Sequence, residues 1–416
     1  MDKLIIKGGK PLFGDAYVSG SKNASLPIMA ATLLAEGVYN ISNVPVLKDI
    51  FTMGELLERL GIENSFSGDT FILNNMDGGG ADAPYDLVKK MRASILVLGP
   101  LLAKRRKAKV SLPGGCAIGE RPVDLHIAAL EKMGAEITVN HGYIEASCGR
   151  LTGAEINFKT VTVTGTENIL MAAALAKGRT VINNAAAEPE ISDLAGFLRK
   201  MGAEITGDGT SVITIEGTDE LSAADYSVMP DRIEAGTLMC AVAGTGGDVR
   251  LHNAPLKCMS AVTDALFTAG LAVKEGEDGV LELSSGGELN SADISTKPYP
   301  GFPTDMQAQY MAIMTKANGT AVIDENIFEN RFMHVAELKR MGADIAVKDG
   351  QAVVRGVKEL SGAPVMASDL MASAGLVIAA LMATNTSEIN RVYHLDRGYQ
   401  EFEKKLRGIG ADIKRV

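Results

Sequence analysis

The stretch LEKMGAEI, residues 130–137, returns along the chain as LRKMGAEI (198–205), LKRMGADI (338–345) and LRGIGADI (406–413), with looser copies at 57–64 and 266–273. A Leu stands four places ahead of a Gly in every copy: Leu57, Leu130, Leu198, Leu266, Leu338 and Leu406 before Gly61, Gly134, Gly202, Gly270, Gly342 and Gly410. Successive glycines lie 73, 68, 68, 72 and 68 residues apart. A fixed period of this kind marks a repeat architecture, so the chain is six copies of one unit. The Gly supplies the left-handed residue that ends a helix, and the short apolar run after it reads as a strand.

Ahead of each copy lies a second helix of different character. SLPIMAATLLA, RASILVLGPLLA, ENILMAAALA, IEAGTLMCAVA, DMQAQYMAIMT and ASAGLVIAALMA have almost no polar face. Helices apolar all round belong in a core or a bilayer. None reaches the roughly 18 apolar residues a membrane span needs, so all six are expected inside. A β-rich run follows each one, such as RTVINNA, and the helix that then leads to the Gly is amphipathic, as in VDLHIAALEKM. The unit reads as βαβαββ.

Three buried helices wrapped by strands make one globule, and six make two. A length of 416 residues exceeds the size at which a single core stops growing. The expected architecture is α/β, a two-domain inside-out α/β barrel with three repeats per domain. One domain should span 22–229, and 1–21 with 230–416 should form the other, residues 1–21 completing the last repeat. The functional site is expected in a cleft between them.

Composition narrows the class. Hydrophobic content of 46% and 22% charge fit a soluble globule, and a net charge of -10 argues against nucleic acid or an anionic membrane as partner. The start MDKLIIKGG lacks the apolar run of a signal peptide. Cys116, Cys148, Cys240 and Cys258 form no CxxC pair or Cys/His cluster, which suggests neither disulfides nor zinc and fits a cytoplasmic setting.

Polar residues stand where the buried helices begin: Lys22 and Asn23, Arg92, Glu167 and Asn168, Asp231 and Arg232, Asp305 and Gln307, and Asp369. Helix starts are positive and bind anions. Capping accounts for Asp231 and Asn168, but cations such as Lys22 and Arg92 oppose the dipole and point to a bound anion. The other informative stretch is SLPGGCAIGERPVDLHI, residues 111–127. Glycines and a proline around Cys116 make a close-approach loop, and Arg121 with a following helix start favours the thiolate. Cys240, in LMCAVA, reads as a buried small hydrophobe.

These residues carry a resemblance. LIIKGGKPLFGDAYVSGSKNASLP, MRAS, PGGCAIG with RPVDLH, TGTENILMAA, GFPTDMQAQ, IFENRFMHVAEL and YHLDRGY closely resemble the UDP-N-acetylglucosamine 1-carboxyvinyltransferases, the enolpyruvyl transferases of peptidoglycan synthesis. The match runs nearly the full length, and PGGCAIG followed by RPVDLH is specific to this branch. The resemblance implies transfer of the enolpyruvyl group of phosphoenolpyruvate to the 3′-hydroxyl of UDP-N-acetylglucosamine, with phosphate released.

By the same resemblance Cys116 is the proton donor and the atom alkylated by fosfomycin, and Asp305 takes the hydroxyl proton. Lys22, Arg121 and Arg397 clamp phosphate and carboxylate, with Arg331 nearby. Asn23, Arg92, Arg121, Pro122, Val123, Asp124, Leu125 and Ile327 contact the nucleotide sugar, while His126 and His394 match polar cleft residues. No metal or cofactor is implied, and no partner beyond the two small-molecule substrates.

Two positions depart from the pattern. Leu96 stands where many members have Trp, and Met371, in SDLMASA, where the family carries an Arg that touches phosphoenolpyruvate or its phosphate. Losing that charge-assisted contact costs about 1.5–3 kcal/mol. Two competing readings follow: a nucleotide-sugar-binding paralogue that serves as sensor or regulator, and 3-phosphoshikimate 1-carboxyvinyltransferase. Retention of both Cys116 and Asp305 opposes the first, and the Cys116 loop opposes the second.

Overall fold

The repeat glycines end their helices in the same conformation. All six have positive φ, from +90° at Gly61 to +111° at Gly270. In five repeats the amide after the Gly donates to the carbonyl of the conserved leucine, as Ala135 does to Leu130 and Ala203 to Leu198. Two otherwise orphaned end groups are thereby paired. The six leucines are themselves fully buried, so one residue serves both the helix stop and the core.

The structure is a computed structural model that describes residues 2–76, 79–89, 91–112 and 123–416. Its core helices are α1 (Lys22–Ala31), α2 (Leu98–Arg105), α3 (Val163–Ala174), α4 (Arg232–Thr245), α5 (Gln307–Met314) and α6 (Leu370–Met382). Short 3-10 turns, Arg92–Val97 and Thr304–Met306, lead into α2 and α5. Nearly every residue of these helices is buried, as their lack of a polar face requires. No described helix is long and apolar enough to cross a membrane.

The third repeat shows the unit plainly. Edge strand Glu155–Asn157 precedes α3 and pairs in parallel with Arg179–Asn183; helix Pro189–Lys200 leads to Glu204–Thr206 and Val212–Glu216, which complete the sheet antiparallel. Among the described residues, six four-stranded sheets of this pattern cover the core helices. Three borrow strands from afar. Tyr226–Ser227 supplies the parallel edge for the first repeat by pairing with Gly37–Ser42. Near the N-terminus, β1 (Leu4–Lys7) joins the last repeat between Thr386–Asn390 and Asp412–Arg415.

Strand β2 (Leu12–Tyr17) corrects the expectation that residues 1–21 complete only the last repeat. It pairs in parallel with Gly247–His252, giving the fourth repeat the edge strand that its own sequence lacks. The described residues fall into two compact units, 2–19 with 230–416 and those between 20 and 229. The division lies two residues earlier than 22, because Ser21 N–H donates to Met229 O (2.8 Å) while Asp231 N–H donates to Ser19 O (2.9 Å). Each unit has its own apolar core.

Within the unit of 2–19 and 230–416 the three core helices run parallel. A Cβ on Gly244, near the end of α4, would meet Met382 at the end of α6 and Ile313 on α5. Their N-terminal halves meet likewise, since Thr237 Oγ1, Gln309 Nε2 and Met371 Sδ belong to one polar cluster. All three helix starts therefore lie at one end of the unit.

Candidate active site

Aspartates precede all three of those starts, and they do different work. Asp231 caps α4 through the amides of Ile233 (2.8 Å) and Glu234 (3.1 Å), and Asp369 caps α6 through those of Met371 (2.9 Å) and Ala372 (3.0 Å). Asp305 caps neither its 3-10 turn nor α5. Its Oδ1 accepts from Arg331 Nη2, and its side chain keeps 31% of its surface where Arg331 keeps 5%. The guanidinium also lies 5.4 Å from the Phe328 ring centre. A charge-assisted bond from a buried arginine fixes the carboxylate's direction and leaves it reachable from solvent.

The segments carrying this pair are tied down by Glu325, which sequence reading passed over. Buried at 7% exposure, its Oε1 accepts from Thr296 Oγ1 (3.0 Å) and the amides of Ile327 (2.9 Å) and Phe328 (3.1 Å), and its Oε2 from Thr304 Oγ1 (2.9 Å). The only sequence sign was an acid directly after a strand, in VIDENIF.

Behind Asp305 lies a buried polar cluster. Gln309 Nε2 donates to Asp305 O (2.8 Å), with Thr237 Oγ1 and Tyr399 Oη each at 3.1 Å and Met371 Sδ at 3.8 Å. A carbonyl only accepts, which fixes the amide nitrogen on that side. Gln309 Oε1 is then buried with no hydrogen-bond partner among the described residues. Arg397 ends the 3-10 turn Val392–Arg397, which packs on α6, and Gly398 abuts Leu370 so closely that a Cβ would come within 2.5 Å of it. Asp305, Ile327, Arg331, Met371 and Arg397 thus belong to the same unit.

The unit of residues 20–229 carries the remaining described candidates. Ser21 caps α1 through the Ala24 amide (3.3 Å), which puts Lys22 and Asn23 in the first turn. Lys22 Nζ lies 3.8 Å from Asp49 Oδ2, so a carboxylate already offsets part of the unfavourable charge at this helix start. Arg92 opens its 3-10 turn; Val123 precedes helix Asp124–Lys132, with Asp124 exposed and Leu125 half-buried.

His126 and Asn168 join these elements. Asn168 is no cap, contrary to the sequence reading: α3 starts five residues earlier behind Thr162, whose hydroxyl takes the Gly165 amide. Fully buried, Asn168 accepts from Gly99 N–H (2.7 Å) and donates to Ile95 O and His126 Nδ1 (both 3.0 Å). His126 is therefore the tautomer that carries its proton on Nε2, facing Thr164 Oγ1 at 3.3 Å. Burial, then Arg92, pull its pKa down to about 4 against the pull of Asp124, so the ring is neutral.

Cys116, Arg121 and Pro122 lie outside the described residues. Cys240 is fully buried with its thiol pKa pushed up by burial, an inert core residue. His394 is half-buried beside Tyr393. Among the described residues no group of three His, Cys, Asp or Glu is arranged to hold a metal.

A chain of six βαβαββ units, with an ion-paired aspartate held among helix starts, has the architecture of known group-transfer enzymes. The family profile of EPSP synthase (3-phosphoshikimate 1-carboxyvinyltransferase) matches residues 6–406. The enolpyruvyl transferase NikO from Streptomyces tendae superposes with a TM-score of 0.89 at 24% identity, over 100% of this chain and 99% of that one. EPSP synthase from Acinetobacter baumannii follows at 0.77 and 18%, over the whole of both chains. These likenesses fix the fold. The chain belongs to the enolpyruvyl transferase family. Within it, the UDP-N-acetylglucosamine 1-carboxyvinyltransferase of Geobacter metallireducens is 56% identical over 416 residues, covering both chains completely. That of Thermodesulfovibrio yellowstonii is 56% identical over 417 residues, again with complete coverage.

Proposed function

We propose that this transferase moves the enolpyruvyl group of phosphoenolpyruvate to the 3′-hydroxyl of UDP-N-acetylglucosamine and releases phosphate, opening peptidoglycan precursor synthesis in the cytoplasm. The observation that carries this reading is the 56% identity to enzymes of that name over the entire chain; the site chemistry agrees with it. Cys116 gives a proton to C3 of phosphoenolpyruvate while the sugar hydroxyl attacks C2 and Asp305 accepts the hydroxyl proton. The tetrahedral ketal then loses a C3 proton and breaks its C2–O bond to phosphate, leaving the enol ether. General acid and base each contribute about 10²–10⁴-fold in such steps.

Lys22, Arg121 and Arg397 bind the phosphate and carboxylate of phosphoenolpyruvate and stabilise charge as phosphate departs. Asn23, Arg92, Arg121, Pro122, Val123, Asp124, Leu125 and Ile327 hold the nucleotide sugar. Arg331, with its charge already engaged by Asp305, is assigned to orienting that base. His126 supports the Asp124 helix start as a neutral hydrogen-bonding group.

The test is phosphate release from phosphoenolpyruvate in the presence of UDP-N-acetylglucosamine, of shikimate 3-phosphate, or of neither. Release with the nucleotide sugar alone is expected. Release with shikimate 3-phosphate would reassign the acceptor, and loss-free turnover in Asp305→Ala would remove Asp305 from the chemistry.

A further inference from the structure

Glu325 has no part in the mechanism above, yet it is a buried carboxylate with four donors drawn from three separate stretches of chain. Capping the turn after strand Thr320–Asp324 accounts only for the Ile327 and Phe328 amides. The Thr304 hydroxyl on Oε2 is a different matter. Thr304 adjoins Asp305, and its carbonyl lies 3.5 Å from Arg331 Nη2. On the other oxygen, the Phe328 amide anchors the residue whose ring backs the Arg331 guanidinium. The acid and the arginine of one ion pair thus hang from the same carboxylate by separate arms, and Ile327 shares the second arm.

We propose that Glu325 is a positioning residue for the transfer: one arm, through Thr304, sets the Asp305 carboxylate, and the other, through the Ile327 and Phe328 amides, sets the backbone that meets the nucleotide sugar. This rests on the reading of Asp305 as base and Ile327 as sugar contact. The two arms are separable by mutation. Thr304→Val cuts only the first, so kcat falls about tenfold while KM for UDP-N-acetylglucosamine holds. Glu325→Ala cuts both, so kcat falls about 10²-fold, the cost of misplacing a reacting group by about 1 Å, and that KM rises as well. Glu325→Gln presents its oxygen to the three Oε1 donors and its nitrogen to Thr304 Oγ1, and recovers most of the loss.

Steady-state kinetics on the full chain, corrected for the active fraction and accompanied by thermal unfolding, decide the matter. A Thr304→Val enzyme with unchanged kcat overturns the proposal. So does a Glu325→Ala enzyme whose defect disappears once the active fraction is counted, since that is what a purely structural residue gives. Should the natural chain release no phosphate, the functional reading fails, and hydrogen exchange judges the hub alone. Faster exchange in Glu325→Ala at both the Ile327–Phe328 amides and the Pro303–Met306 turn supports it, and unchanged exchange at either overturns it.

Discussion

Placing an arginine at position 371 should improve the use of phosphoenolpyruvate without unfolding the protein. Met371 is 8% exposed at the start of α6, with its sulfur 3.8 Å from Gln309 Nε2 and 3.9 Å from Tyr399 Oη. The neighbouring Gln309 Oε1 is a buried acceptor that finds no donor among the described residues. Leaving such a group unpaired costs about 1–3 kcal/mol. A guanidinium at 371 brings donors to that oxygen, which offsets part of its own desolvation, so the unfolding midpoint of Met371→Arg should stay close to the parent's. Its remaining donors are available to an anionic substrate at the helix starts. One charge-assisted contact contributes about 1.5–3 kcal/mol, or roughly tenfold to a hundredfold in kcat/KM for phosphoenolpyruvate. Met371→Lys should gain less, because a point charge lacks the planar fork. The assay is phosphate release at saturating UDP-N-acetylglucosamine with phosphoenolpyruvate varied. A Met371→Arg protein that keeps the parental midpoint but shows equal or lower kcat/KM would refute the reasoning.

Asn168→Ala strands the buried Gly99 N–H, Ile95 O and His126 Nδ1; chemical denaturation should show a loss of about 3 kcal/mol. His126, held neutral with its pKa near 4 in the folded chain, protonates more readily once unfolded, where the reference is about 6.5. Its contribution to stability is therefore complete above about pH 6.5 and is lost as pH falls towards 4, up to about 3 kcal/mol. His126→Gln should flatten the stability slope across that window, and an unchanged slope would assign it to other groups. Fosfomycin should add its mass at Cys116 and abolish phosphate release, whereas Cys116→Asp should take up no adduct under the same treatment.

Leucine and glycine at a fixed spacing made the six units legible, because a positive-φ helix stop and a core leucine each admit few substitutes. Apolar helices without a polar face identified the interior for the same reason. What escaped depends on distance along the chain. Strand β2 pairs with Gly247–His252, more than two hundred residues away, and nothing local in LFGDAY names that partner rather than the last repeat. Asn168 sits at the head of an apolar run and so resembles a cap; the preceding VTGTE, residues 163–167, already belongs to the helix, which Thr162 caps. Glu325 looks like any acid after a strand, and its importance appears only when Thr296 and Thr304 arrive from another segment. For Asp305, the sequence left a cap and a base as rivals, and its ion pair with Arg331, a residue 26 places on, could not be read locally.

The borrowed strands also dictate an order of events as the chain emerges during synthesis. Residues 20–229 contain all the strands of their three sheets and are able to close as soon as they are made, in keeping with the N-to-C habit of multidomain folding. Strand β1 leaves the ribosome ahead of residues 20–229, yet both its neighbours, Thr386–Asn390 and Asp412–Arg415, are made long after them. The opening segment must therefore wait, unpaired and apolar at Leu4, Ile5 and Ile6, while a whole unit folds behind it. Chains that stall or are cut short of the last repeat would carry that free strand exposed, a ready template for pairing with another molecule.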